Sequence, residues 1–174
     1  TIAVCKALLE CGGDYTHLSS YTVHLMQYFG KKYPFAGYGY RFNGWLRTSN
    51  PQPYNSFGNG SAMRVGAVPY FANSIEEVKD LSLKVTEVTH NHPEGIKGAE
   101  ATAVCIWLAL NGKTKEEIIK YVEDNYYKLD FNYEDLKSNY GFDETCQGSV
   151  PQSIYAFAIS NSYEDTIRTA VSMG

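Results

Sequence analysis

One run of residues has the makings of a backbone anion cradle: Ser56-Phe57-Gly58-Asn59-Gly60-Ser61-Ala62-Met63-Arg64-Val65. Two glycines within three residues permit positive φ and close approach of another group to the main chain. Ser61 can then cap a helix beginning at Ala62. The outward N–H groups of such a turn, reinforced by the helix dipole, suit a phosphate. A plain glycine turn with a serine cap accounts for the same residues, and short glycine patterns are common.

Three further segments offer reactive or recognising groups. In Thr89-His90-Asn91-His92-Pro93-Glu94-Gly95, two histidines flank an asparagine just ahead of a helix start. On an extended backbone both rings would point the same way, as a metal pair could. No third ligand stands at a recognisable spacing, so a helix-entry turn with local hydrogen bonds is the simpler reading. Imidazole can also donate to hydroxyls or phosphate oxygens of a sugar nucleotide. Glu100 sits in an apolar stretch and must be paired or face a cleft. Cys146-Gln147-Gly148-Ser149-Val150-Pro151 contains a thiol that His90 could in principle activate, although nothing in the sequence ties the two together. Tyr33 to Phe42 interleaves aromatics with glycines, which suits either stacking on a base or packing of a loop.

The elements that must position these groups read as helices. Ile2, Cys5, Leu8 and Leu9 repeat at helical spacing and stop at Gly12-Gly13. Asp14 caps a second helix running to about Gly30. Ser74-Ile75-Glu76-Glu77 is a capping box ahead of the stripe Ile75, Val78, Leu81, Val85 and Val88, and Thr114-Lys115-Glu116-Glu117 repeats the device. Pro93 and Pro151 look like first-turn prolines. Residues 96–110 are nearly all apolar and predict a central helix covered on most sides. Ser162 starts a last helix with Ile167, Ala170 and Val171 inward. Strand signals are weak. The expectation is an all-α fold of compact, orthogonally packed helices in one domain over 1–174, with its longest loop from Arg47 to Ala62.

Bulk properties narrow the classes. The chain has 174 residues and a formal net charge of −4, which argues against nonspecific nucleic-acid binding. No apolar run approaches the roughly 20 residues needed to span a membrane. Cys5, Cys11, Cys105 and Cys146 include no C-x-x-C pair, so reduced thiols and a cytoplasmic setting are expected.

Taken in order and spacing, these segments resemble the ADP-ribosylglycohydrolase (dinitrogenase-reductase-activating glycohydrolase-like) family. Gly58 to Arg64 looks like its phosphate-binding loop, and Thr89-His90 with Gly98-Ala99 like its central helix entry. Ser149-Val150-Pro151 through Phe157 is similar to its late helix. Ala170 to Gly174 looks like the residues just before its aspartate-rich metal motif. The resemblance implies hydrolysis of the glycosidic bond at the distal ribose of ADP-ribose, with an arginine-type N-glycosidic linkage on a protein or small molecule as the expected substrate. A noncatalytic ADP-ribose-binding relative is the alternative. It also implies a pair of Mg²⁺ ions held by motifs that flank this segment at both ends. The segment is therefore expected to be incomplete and inactive alone, with no metal ligand and no assigned catalytic residue. By the same resemblance, Asn59, Gly60, Ser61, Ala62, Met63, Arg64 and Val65 hold the pyrophosphate through backbone N–H groups. His90 contacts the ADP-ribose, and Ser149 and Val150 touch its nucleotide end.

Overall fold

The computed structural model describes residues 1–174. It contains nine α-helices, two 3₁₀ segments and no strand beyond one isolated bridge between Gly58 and Thr145. The all-α expectation holds.

Helix α1 (Ile2–Cys11) ends where Gly12 takes the left-handed conformation, φ 58°. A glycine there adopts positive φ without a Cβ penalty and stops the helix. Asp14 caps a single 3₁₀ turn, Tyr15–His17, which leads into α2 (Leu18–Lys32). Helix α3 (Tyr40–Arg47) absorbs the end of the aromatic-glycine segment, which the sequence presents as loop throughout. Its side chains Trp45 and Leu46 are buried. Leu46 packs so closely on Gly30 of α2 that a Cβ there would stand 2.6 Å from its methyl carbons.

Helix α4 (Ile75–Thr86) has Ser74 accepting from the Glu77 N–H at 3.2 Å. The reciprocal bond goes one residue further back: the Glu77 carboxylate accepts from the Asn73 N–H rather than from Ser74. Val78, Leu81 and Val85 are fully buried, each contributing roughly 1.5–3 kcal/mol. Helix α5 (Pro93–Leu110) starts as expected with Pro93 in its first turn. It is the centre of the molecule, packed against α4, the 3₁₀ stretch Ala62–Phe71, α6 (Lys115–Asn125) and α8 (Cys146–Ile159). Its Gly95, Gly98, Ala99, Ala101 and Ala103 are buried. Small residues let neighbouring elements approach closely. A Cβ on Gly98 would meet the Cys146 sulfur at 2.6 Å. Helix α6 carries a complete capping box at Thr114 and Glu117.

Several boundaries differ from the sequence reading. Pro151 does not open a helix. Helix α8 begins at Cys146, with Thr145 accepting from the Gly148 N–H, and Pro151 lies inside it. Threonine at the N-cap outranks a later proline as a start signal. The short helix α7 (Tyr133–Asn139), capped by Asn132, is an element that the sequence reading lacks. In α9 (Tyr163–Met173) the expected inward face is not inward: Ile167 is exposed and Val171 is 74% exposed, with Met173 the buried residue. Helix α9 packs chiefly on α7 and α8, which leave Ile167 and Val171 exposed.

Candidate functional site

The Arg47–Ala62 loop is built by local chemistry before it reaches the glycines. Asn55 takes positive φ, 52°, a conformation that asparagine tolerates better than most residues. Its N–H donates to the Asn91 side chain at 2.8 Å, and the Tyr54 N–H donates to Thr89 O at 3.2 Å. Arg41 donates to Tyr54 O and lies over the Tyr54 ring. The loop is therefore pinned to the His90 segment.

Beyond this anchor lies the bridge. Asn59 N–H donates to Glu144 O at 2.7 Å, and Cys146 N–H donates to Phe57 O at 2.8 Å. This pair docks the glycine turn on the N-terminus of α8. The Asn59 side-chain amide then donates to Ser149 Oγ at 3.0 Å and to Asp143 O at 3.3 Å.

The cradle expected from the sequence needs four corrections. Neither Gly58 nor Gly60 has positive φ. Space is what these glycines supply: Cβ atoms there would stand 3.7 Å and 3.5 Å from His90 Nε2. Ser61 stands at the N-cap position but makes no side-chain cap bond. It has helical φ and ψ, and its hydroxyl donates to Gly95 O at 2.8 Å and Gly58 O at 3.3 Å. Ala62 opens a 3₁₀ stretch rather than an α-helix. Finally, most of the expected N–H donors are already engaged. Those of Asn59, Met63 and Arg64 give to Glu144 O, Asn59 O and Ser61 O, and that of Ala62 faces the Cys146 sulfur, while no protein acceptor meets those of Gly60 and Ser61. The backbone grip assigned to Asn59–Val65 thus narrows to two adjacent donors.

The side chains of the run divide. Val65 is fully buried in the core, and Arg64 is 6% exposed. The Arg64 guanidinium donates to Val85 O at 3.0 Å and Thr86 O at 3.2 Å, capping the C-terminal end of α4. A cation there satisfies orphan carbonyls and complements the helix dipole. No carboxylate pairs with it. Burial lowers its pKa to about 10, so it is charged at neutral pH. By contrast, Asn59, Ala62 and Met63 line a groove of about 590 Å³ together with Ser149, Val150 and Thr102.

His90 is not in that groove. Its ring, 5% exposed, lies under the turn, tilted against Tyr54. Burial, with Arg64 and Arg41 nearby, pushes its pKa down to about 3. Nδ1 sits 2.6 Å from Thr89 Oγ1, and Nε2 has no protein partner. His92 takes a different role: Nδ1 accepts from the Glu94 N–H as the cap of α5. No group of three His, Cys, Asp or Glu side chains converges to hold a metal ion, so these residues do not fit a Mg²⁺ site and no step runs through one. Cys146 is buried, its thiol donating to Gly58 O at 3.3 Å, and burial raises its pKa. These surroundings suit a packing residue, not a nucleophile. Glu100 is paired, accepting from Tyr126 at 2.7 Å and lying 3.4 Å from Lys79.

The structure therefore joins the glycine turn to Ser149 and Val150 on one side and to His90 on another. Sequence reasoning gave no role of their own to Thr89 or Gly95, whose buried positions beneath the turn no pattern in the sequence announces.

A family model described as ADP-ribosylglycohydrolase matches residues 1–174, the whole chain. The chain is 35% identical over 74 residues to the ADP-ribosylhydrolase ARH3 of Gallus gallus, covering 40% of this chain and 20% of that protein. It is 34% identical over 62 residues to ARH3 of Homo sapiens, covering 36% and 17%. A solved structure described as an ADP-ribosylglycohydrolase-related protein complex superposes with a TM-score of 0.73 at 18% identity, covering 99% of this chain and 62% of that one. The matched stretches thus span about a fifth of the curated relatives' length, and that structural likeness speaks to the fold alone.

Proposed function

The chain belongs to the ADP-ribosylglycohydrolase family, and from that premise we propose that it forms the ADP-ribose-binding part of a hydrolase that releases ADP-ribose from modified proteins or small molecules. One observation carries the reading: the N–H groups of Gly60 and Ser61 and the Nε2 of His90 have no protein partner, the Gly60 backbone lies next to Nε2, and the uncompensated charge of Arg64 reaches the same histidine through Thr89. Donors left without a protein acceptor are free to take a ligand's oxygens. A diphosphate supplies acceptor oxygens and negative charge together. The groove past Asn59 toward Ser149 and Val150 then takes one end of the ligand.

In hydrolysis, water adds to the anomeric carbon as the glycosidic bond breaks, and the released side chain takes up a proton. Residues 1–174 bind and orient the ligand for this step. The finer substrate proposed is the arginine-type N-glycosidic linkage. Mg²⁺ dependence rests on the family resemblance, with ligands outside these residues. The four unpaired thiols support a reducing, cytoplasmic setting, and no helix is long and apolar enough to cross a membrane.

Calorimetric titration of residues 1–174 with ADP-ribose tests the binding claim. Saturable binding that excess adenosine does not abolish is expected; a flat titration would remove it. Release of ADP-ribose from arginine- and serine-linked substrates, with and without EDTA, tests the rest. Full-length protein is expected to act on the arginine linkage and to lose activity in EDTA, while residues 1–174 alone show no turnover. The second reading is a binder without catalysis; full-length protein that binds ADP-ribose but never releases it would establish that instead.

A further inference from the structure

Arg64, Thr89 and His90 form a directed chain of hydrogen bonds below the turn. A guanidinium has donors only. Arg64 Nη2 donates to Thr89 Oγ1 at 2.8 Å, and its other contacts with Val85 O and Thr86 O fix the guanidinium against the end of α4. Thr89 is fully buried, and its hydroxyl meets just two partners, Arg64 and His90 Nδ1 at 2.6 Å. With one lone pair taken by Arg64, the hydroxyl proton has a single acceptor available, the imidazole Nδ1. Placing a proton on Nδ1 instead would leave the threonine O–H without an acceptor in the interior, which is costly. We propose that Arg64, acting through Thr89, is a positioning residue that locks His90 in the neutral tautomer protonated at Nε2, so that its one ring donor faces the Gly58–Gly60 turn.

Two features support the direction of the chain. Arg64 and Arg41 are the charges that bear on the ring, and both disfavour a second proton on it. Gly58 and Gly60 leave Nε2 uncovered, since side chains there would stand within 4 Å of it. The ring therefore acts as a fixed donor to an anionic or carbonyl oxygen and not as a general base at neutral pH. The consequence for the ligand rests on the ADP-ribose reading above; the tautomer does not.

Nitrogen-15 NMR of histidine-labelled protein tests this directly, because protonated and bare ring nitrogens have well-separated shifts and couplings. The expected spectrum at neutral pH shows His90 with Nε2 protonated and Nδ1 bare, unchanged from pH 8 to pH 5. Thr89→Val is expected to lose this preference and to weaken ADP-ribose binding about tenfold, the worth of one hydrogen bond. Thr89→Ser is expected to restore both. A wild-type ring protonated at Nδ1, a cationic ring, or a Thr89→Val spectrum with the tautomer unchanged overturns the proposal. A locked Nε2–H tautomer in a protein that fails to bind ADP-ribose sinks the ligand assignment and leaves the relay standing.

Discussion

Asn59 ties the glycine turn to α8 by donating its side-chain amide to Ser149 Oγ at 3.0 Å, while Ser149 spends its own proton on Thr145 O at 2.6 Å. The direction of this bond is therefore fixed. Asn59→Asp keeps the shape but replaces the donor with a carboxylate that faces Asp143 O and a hydroxyl already committed elsewhere. A loss of about 1–3 kcal/mol is expected, read as a lowered urea midpoint with an unchanged slope.

Gly60→Ala separates binding from stability. The backbone of Gly60 is not in the left-handed region, and the added methyl would rest at ordinary contact distance, 3.5 Å from His90 Nε2. The variant is expected to be as stable as the wild type, or slightly more so through a less flexible unfolded chain. The methyl covers the ring donor, so ADP-ribose affinity should fall about tenfold or more. Calorimetry and thermal denaturation on the same sample check the two halves.

Ser61→Asp distinguishes a cap from an internal donor. Aspartate is a good N-cap, so a capping Ser61 would tolerate it. Ser61 instead donates to Gly95 O inside the protein, where a carboxylate has no proton to give and no partner. Destabilisation of about 3 kcal/mol or more is expected, visible as a large drop in Tm, with Ser61→Ala intermediate.

Acid sensitivity arises from His90. Its folded pKa of about 3 lies below the ordinary value of 6.5. Between those values the unfolded chain binds a proton that the folded chain refuses, so acid favours unfolding. The contribution is fully present above about pH 6.5 and is lost as pH falls toward 3, amounting to roughly a few kcal/mol at 1.36 kcal/mol per pH unit. Carboxylates with depressed values, Asp14 and Asp143 among them, act in the same direction at lower pH. Stability measured against pH for the wild type and His90→Gln isolates the histidine: the variant's curve should be flatter between pH 6 and 4.

The helices were legible because their signals are local. Thr114 with Glu117, Ser74 with its stripe, and Pro93 after His92 all act within one turn of the chain. Helices α3 and α7 escaped because they are short and rich in residues that also make loops. The inward face assigned to α9 failed because periodicity shows that a helix has an apolar side, not whether another element covers it. At the site, composition singled out one run, yet its free donors could not be counted from it. Whether Asn59 N–H is free depends on Glu144, and whether Arg64 faces a ligand depends on where α4 ends. Both are matters of long-range packing. Local signals were also passed over: Thr145 and Asn132 as caps, and Asn55, a residue type that favours left-handed backbone in a loop that uses it.

The bridge between Gly58 and Thr145 joins stretches of chain on either side of α4, α5, α6 and α7. Closing so large a loop costs entropy that only the docked helices offset. The amides of Asn59 and Cys146 should therefore exchange with deuterium together, and only when the whole molecule opens, so that a chain able to present the turn is one that has already finished folding.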